Sequence, residues 1–102
     1  LIEPVMKVVK EYYKKIPMGI GTGGRGDIAR KAVSANGLNK YFPVLISASE
    51  VTKHKPDPET FFKIADHYRV PAEKCLVFED GKPGITAAKT AKMHIIDIRK
   101  YL

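Results

Sequence analysis

The chain predicts an α/β fold in which helices flank a parallel sheet, and three observations predict it. Short apolar runs rich in Ile, Val, Leu and Phe alternate with stretches of about 10–15 residues of helical pattern, as βαβ units require. Gly, Pro or Asn punctuates the junctions between them. Chemistry-bearing residues collect where the apolar runs stop, and in an open α/β sheet ligands gather outside the carboxyl ends of the strands.

Taken in order, Ile2, Val5, Met6, Val9, Tyr12, Tyr13 and Ile16 recur at i, i+3, i+4, i+7 spacing. They predict an amphipathic helix over Pro4 to Lys15, with Pro4 tolerated in the first turn. Ile16 to Gly21 reads as a short strand that opens into Thr22-Gly23-Gly24. Asp27 to Asn36 is expected to be helical, with Ile28, Ala32 and Val33 on the inward face and Gly37 as the stop. Pro43 to Ser47 is a second strand. Asp57 can cap a helix with Pro58 at its first position, buried through Phe61, Ile64, Ala65 and Tyr68 and ended by Pro71. Strand Cys75 to Phe78, helix Gly84 to Lys92 and strand His94 to Ile98 complete the series.

A length of 102 residues suits one domain or a piece of one. Hydrophobic and charged contents of 44% and 28% are those of a soluble globular chain. No apolar run approaches the ~20 residues of a membrane span, and the first helix, with its acids and lysines, does not read as a secretory signal. The single cysteine, Cys75, lies in a buried-looking strand with no histidine close in sequence; no disulfide framework is implied, and a reducing cytoplasm fits. A net charge of +7 raises nucleic acid as a partner. The lysines are scattered at solvent-face spacing without interleaved aromatics, so a solvated basic surface is expected and nucleic acid is not. Such a field would also draw in a small anionic substrate.

Three stretches carry chemistry. In Cys75 to Met93, an apolar run ends in Glu79-Asp80, followed by a Gly/Pro turn and a small-residue helix. Adjacent carboxylates at a strand end suit Mg²⁺, which takes one or two carboxylates plus phosphate and water; an acidic helix start is the plain alternative. Gly19-Ile20-Gly21-Thr22-Gly23-Gly24 matches G-x-G-x-x-G formally. A dinucleotide site is one use, with Glu50 as the acid near the end of the next strand. A phosphate cradle is another, built from the Thr22 hydroxyl and the N–H groups of Thr22, Gly23 and Gly24 beside a helix N-terminus, and a structural glycine turn is the third. Lys53-His54-Lys55-Pro56-Asp57-Pro58 sets Lys55 in a proline-stiffened loop, able to present a fixed positive charge to a phosphate or a carboxylate. His54 and His67 have no ligand-spaced partners, which disfavours zinc.

Thr22 after a glycine-punctuated strand, Lys55-Pro56-Asp57-Pro58-Glu59-Thr60-Phe61, and Phe78-Glu79-Asp80 followed by Gly84-Ile85 and Ala87-Ala88 stand in order and at suitable spacing. Together they resemble the second, third and fourth motifs of the haloacid dehalogenase superfamily, in its branch of β-phosphoglucomutase-like and fructose-1-phosphate-phosphatase-like enzymes. The ending Met93-His94-Ile95-Ile96-Asp97-Ile98-Arg99 is similar to the phosphatase type. The resemblance implies a Rossmann-like core, phosphoryl oxygens bound by Thr22 and the Gly23 amide, Lys55 steadying nucleophile and phosphoryl charge, and Mg²⁺ on Glu79 and Asp80. Gly23-Gly24 and Gly81 stand where relatives often carry serine or another small polar residue.

The departure is an absent first motif. None of the five aspartates (Asp27, Asp57, Asp66, Asp80, Asp97) forms the Asp-x-Asp pair that supplies nucleophile and acid/base in the family. The resemblance therefore implies the C-terminal part of a core domain over residues 1–102. The first central strand, which lies in the family between the strands ending at Thr22 and Glu79, and the cap domain are expected upstream of Leu1. The chain alone is expected not to be a competent phosphatase, and its exposed strand edges invite self-association or pairing with the missing segment. A small phosphorylated metabolite, fructose 1-phosphate above others, is the implied substrate. A β-phosphoglucomutase-like phosphotransferase, a dinucleotide-binding module and a non-catalytic interaction protein are the alternatives.

Overall fold

Helical spacing and strand-ending glycines produce the expected alternation in the computed structural model, which describes residues 3–101. Helix α1 (Glu3–Tyr12) precedes strand β1 (Gly19–Gly21), and α2 (Gly26–Ala35) precedes β2 (Val44–Ile46). A 3-10 turn at Ala48–Glu50 leads to α3 (Glu59–Tyr68), and another at Ala72–Lys74 to β3 (Leu76–Glu79). Helix α4 (Lys82–Thr90), β4 (His94–Asp97) and a last 3-10 turn at Ile98–Tyr101 follow. No helix among the described residues is long and apolar enough to cross a membrane.

All strand pairing is parallel. Gly19 to Gly21 lie opposite Val44 to Ile46, and Leu76 to Glu79 lie opposite His94 to Asp97. Among the described residues the two pairs share no ladder, so the sheet stands as two halves, β1–β2 and β3–β4. Helix α3 holds them together, packing on β1 and β2 and against α4, while α4 covers β3 and β4. The core is this seam: Phe61 and Ala65 from α3 meet Ala87, Ala88, Ala91 and Met93, flanked by Ala72, Cys75, Val77 and Ile95. Ala87 and Ala88 have no exposure, and their small side chains let α4 approach the strands closely.

Glycine does the same for β1. A Cβ at Gly19 would lie 2.8 Å from Ile64 Cγ2, and one at Gly21 would lie 2.7 Å from Thr60 Cγ2. Both glycines of the strand are therefore where α3 rests directly on backbone, a close approach that only a missing Cβ allows.

Several boundaries and faces differ from expectation. Helix α1 ends at Tyr12 rather than Lys15, because Lys15 and Ile16 turn back to donate to the Tyr12 carbonyl and Lys14 takes a left-handed φ of 70°. Its buried residues are Val5 and Val9; Tyr12 and Ile16 are exposed, and Ile2 lies outside the described residues. On α2 the expected inward face is turned out: Ile28 is 59% exposed, Ala32 is exposed and Val33 is half-buried. This helix packs on the Ala48–Glu50 turn rather than across a strand, so Gly26 is its buried residue. Helix α3 stops at Tyr68, before Pro71, with Arg69 in the left-handed cap position. Helix α4 begins two residues earlier than expected, at Lys82, with Pro83 in its first turn.

Candidate active site at the strand ends

The loop after the 3-10 turn carries Lys55 to the gap between the two half-sheets. Its Nζ donates to the Gly21 carbonyl at the end of β1, 3.2 Å away, and to Glu79 Oε2 at the end of β3, 3.1 Å away. The Phe61 ring lies beneath it, 4.8 Å from the ammonium to the ring centroid. Both charged side chains of the pair are only 14% exposed. One lysine thus joins the carboxyl ends of two strands that share no backbone ladder.

The position of Lys55 is held from outside the site. The Lys55–Pro56 peptide is cis. The expected cap is shifted by one residue: Pro58 stands at the cap and Glu59 at the first helical position, while Asp57 Oδ1, one residue earlier, still accepts the Glu59 N–H at 2.9 Å. The Glu59 carboxylate then accepts the N–H groups of Thr52 and Lys53, each at 2.9 Å, and these bonds, foremost the one from Lys53, hold its pKa below the usual carboxylate value. Glu59 therefore clamps the loop that delivers Lys55. The motif alone gives Glu59 no role; an acid opening the helix right after the lysine–proline loop is the local signal for this clamp.

Thr22 follows Gly21 directly. Its N–H continues the β1–β2 ladder to the Ile46 carbonyl at 2.9 Å, and its Oγ1 accepts the Gly24 N–H at 3.1 Å. The expected cradle of three amides is corrected accordingly: those of Thr22 and Gly24 are committed within the chain. Among the described residues the Gly23 N–H has no partner, and a side chain at Gly23 would meet nothing within 4 Å. The Thr22 hydroxyl hydrogen is left to donate, because its oxygen serves as acceptor.

Glu79 and Asp80 divide sharply. Glu79 Oε1 accepts the N–H groups of Asp80 and Gly81, at 3.0 and 3.3 Å, while Oε2 takes Lys55. The carboxylate lies on the first turn of α4, where a Cβ at Gly84 would come within 2.0 Å of Oε2. A helix N-terminus favours a negative charge there. Asp80 is exposed, and its carboxylate has no hydrogen bond or ion pair among the described residues. No group of three or more His, Cys, Asp or Glu that could hold a metal occurs among the described residues. The donor set is nonetheless of the right kind for Mg²⁺, which is commonly held by one or two carboxylates with phosphate and water completing its shell. Asp80 is the available oxygen donor, with Glu79 beside it.

A further acid, Asp97, lies opposite Glu79 in the β3–β4 register and was not singled out from sequence. It is occupied: Arg99 donates to both of its oxygens, at 2.9 and 2.7 Å, and those bonds hold its pKa down to about 2. Glu50, the acid a dinucleotide site would need, is also committed. It forms a capping box with Ser47 and pairs with Arg30; the Ser47 bonds come first in lowering its pKa to about 2. With Gly19 and Gly21 explained by α3, the G-x-G-x-x-G pattern does not build a dinucleotide site. Burial, with the Glu73 charge adding to it, pushes the Cys75 thiol up, away from nucleophilic use.

The Lys55 ammonium thus bridges two strand ends, with Thr22 and Gly23 following one and Asp80 the other. The chain belongs to the haloacid dehalogenase-like hydrolase family, whose profile matches residues 1–98. It is 40% identical over 96 residues to the fructose-1-phosphate phosphatase YqaB of Escherichia coli, covering 94% of this chain and 51% of that protein. It is 36% identical over 78 residues to a phosphorylated carbohydrates phosphatase of Thermotoga maritima, covering 76% of this chain and 36% of that one. The crystal structure of a β-phosphoglucomutase, described as putative, from Thermotoga maritima superposes with a TM-score of 0.85 at 32% identity, over 91% of this chain and 44% of that one. The chain thus spans about half the length of the E. coli relative and less of the others.

Proposed function

We propose that these residues form the phosphate- and cation-holding part of a Mg²⁺-dependent phosphatase for small sugar phosphates. The observation that carries this reading is the Lys55 bridge between the Gly21 carbonyl and Glu79. An ammonium has three donors. Two are engaged there, and the third is available to a phosphoryl oxygen at the same rim as the Thr22 hydroxyl and the Gly23 N–H. In phosphoryl transfer, positioning and charge stabilisation carry most of the catalysis, so a rigid ammonium between two strand ends is the group the reaction needs. Asp80, with Glu79, would hold Mg²⁺, which supplies neutralisation of charge on the transferred group.

The nucleophile is assigned to a strand outside the 102 residues that carries Asp-x-Asp and pairs between β1 and β3. Its carboxylate would form the bond to phosphorus in line as the bond to the sugar oxygen breaks, and water would then release phosphate from the aspartyl-phosphate. The leaving sugar oxygen would take its proton from the second aspartate of that pair. The split sheet supports this reading, since β1 and β3 each have one ladder partner among the described residues. A second copy pairing along those edges is the alternative filling.

Fructose 1-phosphate is the first substrate to test, given the printed activity of the E. coli relative. A phosphotransferase that passes the group to a second sugar phosphate is the second reading, favoured by the 32% identity to the Thermotoga structure. The decisive experiment measures phosphate release from fructose 1-phosphate by this chain alone and together with an upstream Asp-x-Asp segment, with and without Mg²⁺. Release is expected only with both. Hydrolysis by the 102 residues alone would sink the assignment of the nucleophile.

A further inference from the structure

At the opposite ends of β1 and β2 from Thr22, a cavity of about 370 Å³ opens between the end of α1, the run into β1 and the end of α3. Lys14, Lys15 and Lys40 line it together with the rings of Tyr13, Tyr41 and Tyr68, beside apolar residues of the run into β1. That size and a mostly apolar lining with a few polar groups match small-ligand sites. No acid lines it, and none of the three lysines is in an ion pair among the described residues. Three uncompensated ammonium groups around one concavity favour an anion.

The cations and rings are already arranged. Tyr13 and Tyr41 pack edge to face, with centroids 5.0 Å apart. The Lys14 ammonium lies over the Tyr13 ring at 5.5 Å, and that of Lys40 over the Tyr41 ring at 5.0 Å. Tyr68 is fixed by donating its hydroxyl proton to the Met18 carbonyl at 2.7 Å. A row of cation, ring, ring and cation therefore borders the cavity. A flat body could lie against the Tyr68 ring and the apolar wall while a phosphate meets the ammonium groups; lysine binds phosphate as a point charge, and bases stack on aromatic faces.

We propose that this cavity is a binding site for a nucleoside monophosphate, distinct from the strand-end site and independent of the reaction assigned to it. The test is isothermal titration calorimetry on the purified protein at low ionic strength, where such attraction is least screened. Adenosine 5′-monophosphate is expected to bind, with adenosine alone and inorganic phosphate alone each weaker by about tenfold or more. The Lys14→Glu/Lys40→Glu protein should lose about tenfold or more for the nucleotide, and the neutral Lys14→Gln/Lys40→Gln protein a smaller part. Circular dichroism confirms that each variant is folded. Lys31→Glu/Lys89→Glu, at exposed lysines outside both sites, should leave nucleotide affinity within about twofold, the scatter expected for distant independent positions. Three results overturn the proposal: no nucleotide binding, affinity unchanged by the Lys14/Lys40 charge reversal, or an equal loss in Lys31→Glu/Lys89→Glu, which would make the attraction a property of the whole basic surface instead.

Discussion

Two ion pairs sit on the same rim and do different things. Lys55 and Glu79 come from positions 24 apart, are each 14% exposed, and tie the end of β1 to the end of β3. Asp97 and Arg99, two residues apart at the end of β4, are 22% and 50% exposed and tie the chain only to itself. Charges shielded from water interact more strongly and cost more when left unpaired. An exposed local pair is screened and contributes little. The long-range pair is therefore the one through which the two half-sheets and the candidate chemistry depend on each other.

The largest expected effect comes from removing the shared ammonium. In a protein that also supplies the proposed Asp-x-Asp strand, Lys55→Ala should lower kcat for the proposed release of phosphate from fructose 1-phosphate by about 10²–10³, as loss of one positioned donor does. Folding stability should fall by about 1–3 kcal/mol, because Glu79 stays half-buried without its partner. A variant with unchanged turnover and an unchanged urea midpoint would dissolve the contrast between the pairs.

Gly84→Ala sharpens it from the other side. The added Cβ would come within 2.0 Å of Glu79 Oε2, so the carboxylate must leave its place on α4. Overpacking of this kind costs about 1–3 kcal/mol. Chemical denaturation reads the stability, and loss of the proposed Mg²⁺ dependence reads the displaced carboxylate. A stable variant with unaltered metal dependence would show that Glu79 does not need that notch.

Acid titration probes a third carboxylate, Glu50, whose pKa falls from 4.5 to about 2 in the folded chain, first through its bonds from Ser47. A depressed folded pKa means the unfolded chain binds the proton more readily, so this contribution is whole above pH 4.5 and is lost as the pH falls towards 2. Ser47→Ala should flatten that part of the urea-midpoint profile. A profile of the same slope in both proteins would show the bonds do not act there. The smallest effect is assigned to Arg99→Ala, which should leave the thermal unfolding midpoint nearly unchanged, since the pair is exposed. A larger loss would make the two pairs alike.

Much of the site was legible because the signals are local. Thr22 after a glycine-ended strand, Lys55 ahead of two prolines, and the couplet at the end of β3 are short stretches, each open to a plain reading until the family resemblance joins them into one candidate site. The roles of Gly19 and Gly21 were not, because the reason for them is the side chains of Thr60 and Ile64, some forty residues away. The three-amide cradle failed for a similar reason: the Thr22 N–H was claimed by Ile46 across the ladder. Ile28 reads as inward by period, yet period specifies a face and not the element that will cover it. Lys14 and Lys40 read as solvated, and nothing local could show that Tyr13 and Tyr41 bring them to one cavity.

By itself the amino-acid order determined the alternation of helices and parallel strands, the strand ends where reactive groups gather, and the family. Hydrophobic period, caps and turns act over a few residues and need no partner to be read. Only the tertiary structure decided which donors remain free, which carboxylates are already satisfied, and that one ammonium spans two half-sheets. Those outcomes depend on competition among groups distant in the chain, and each buried polar group settles on whichever partner the packing brings within reach.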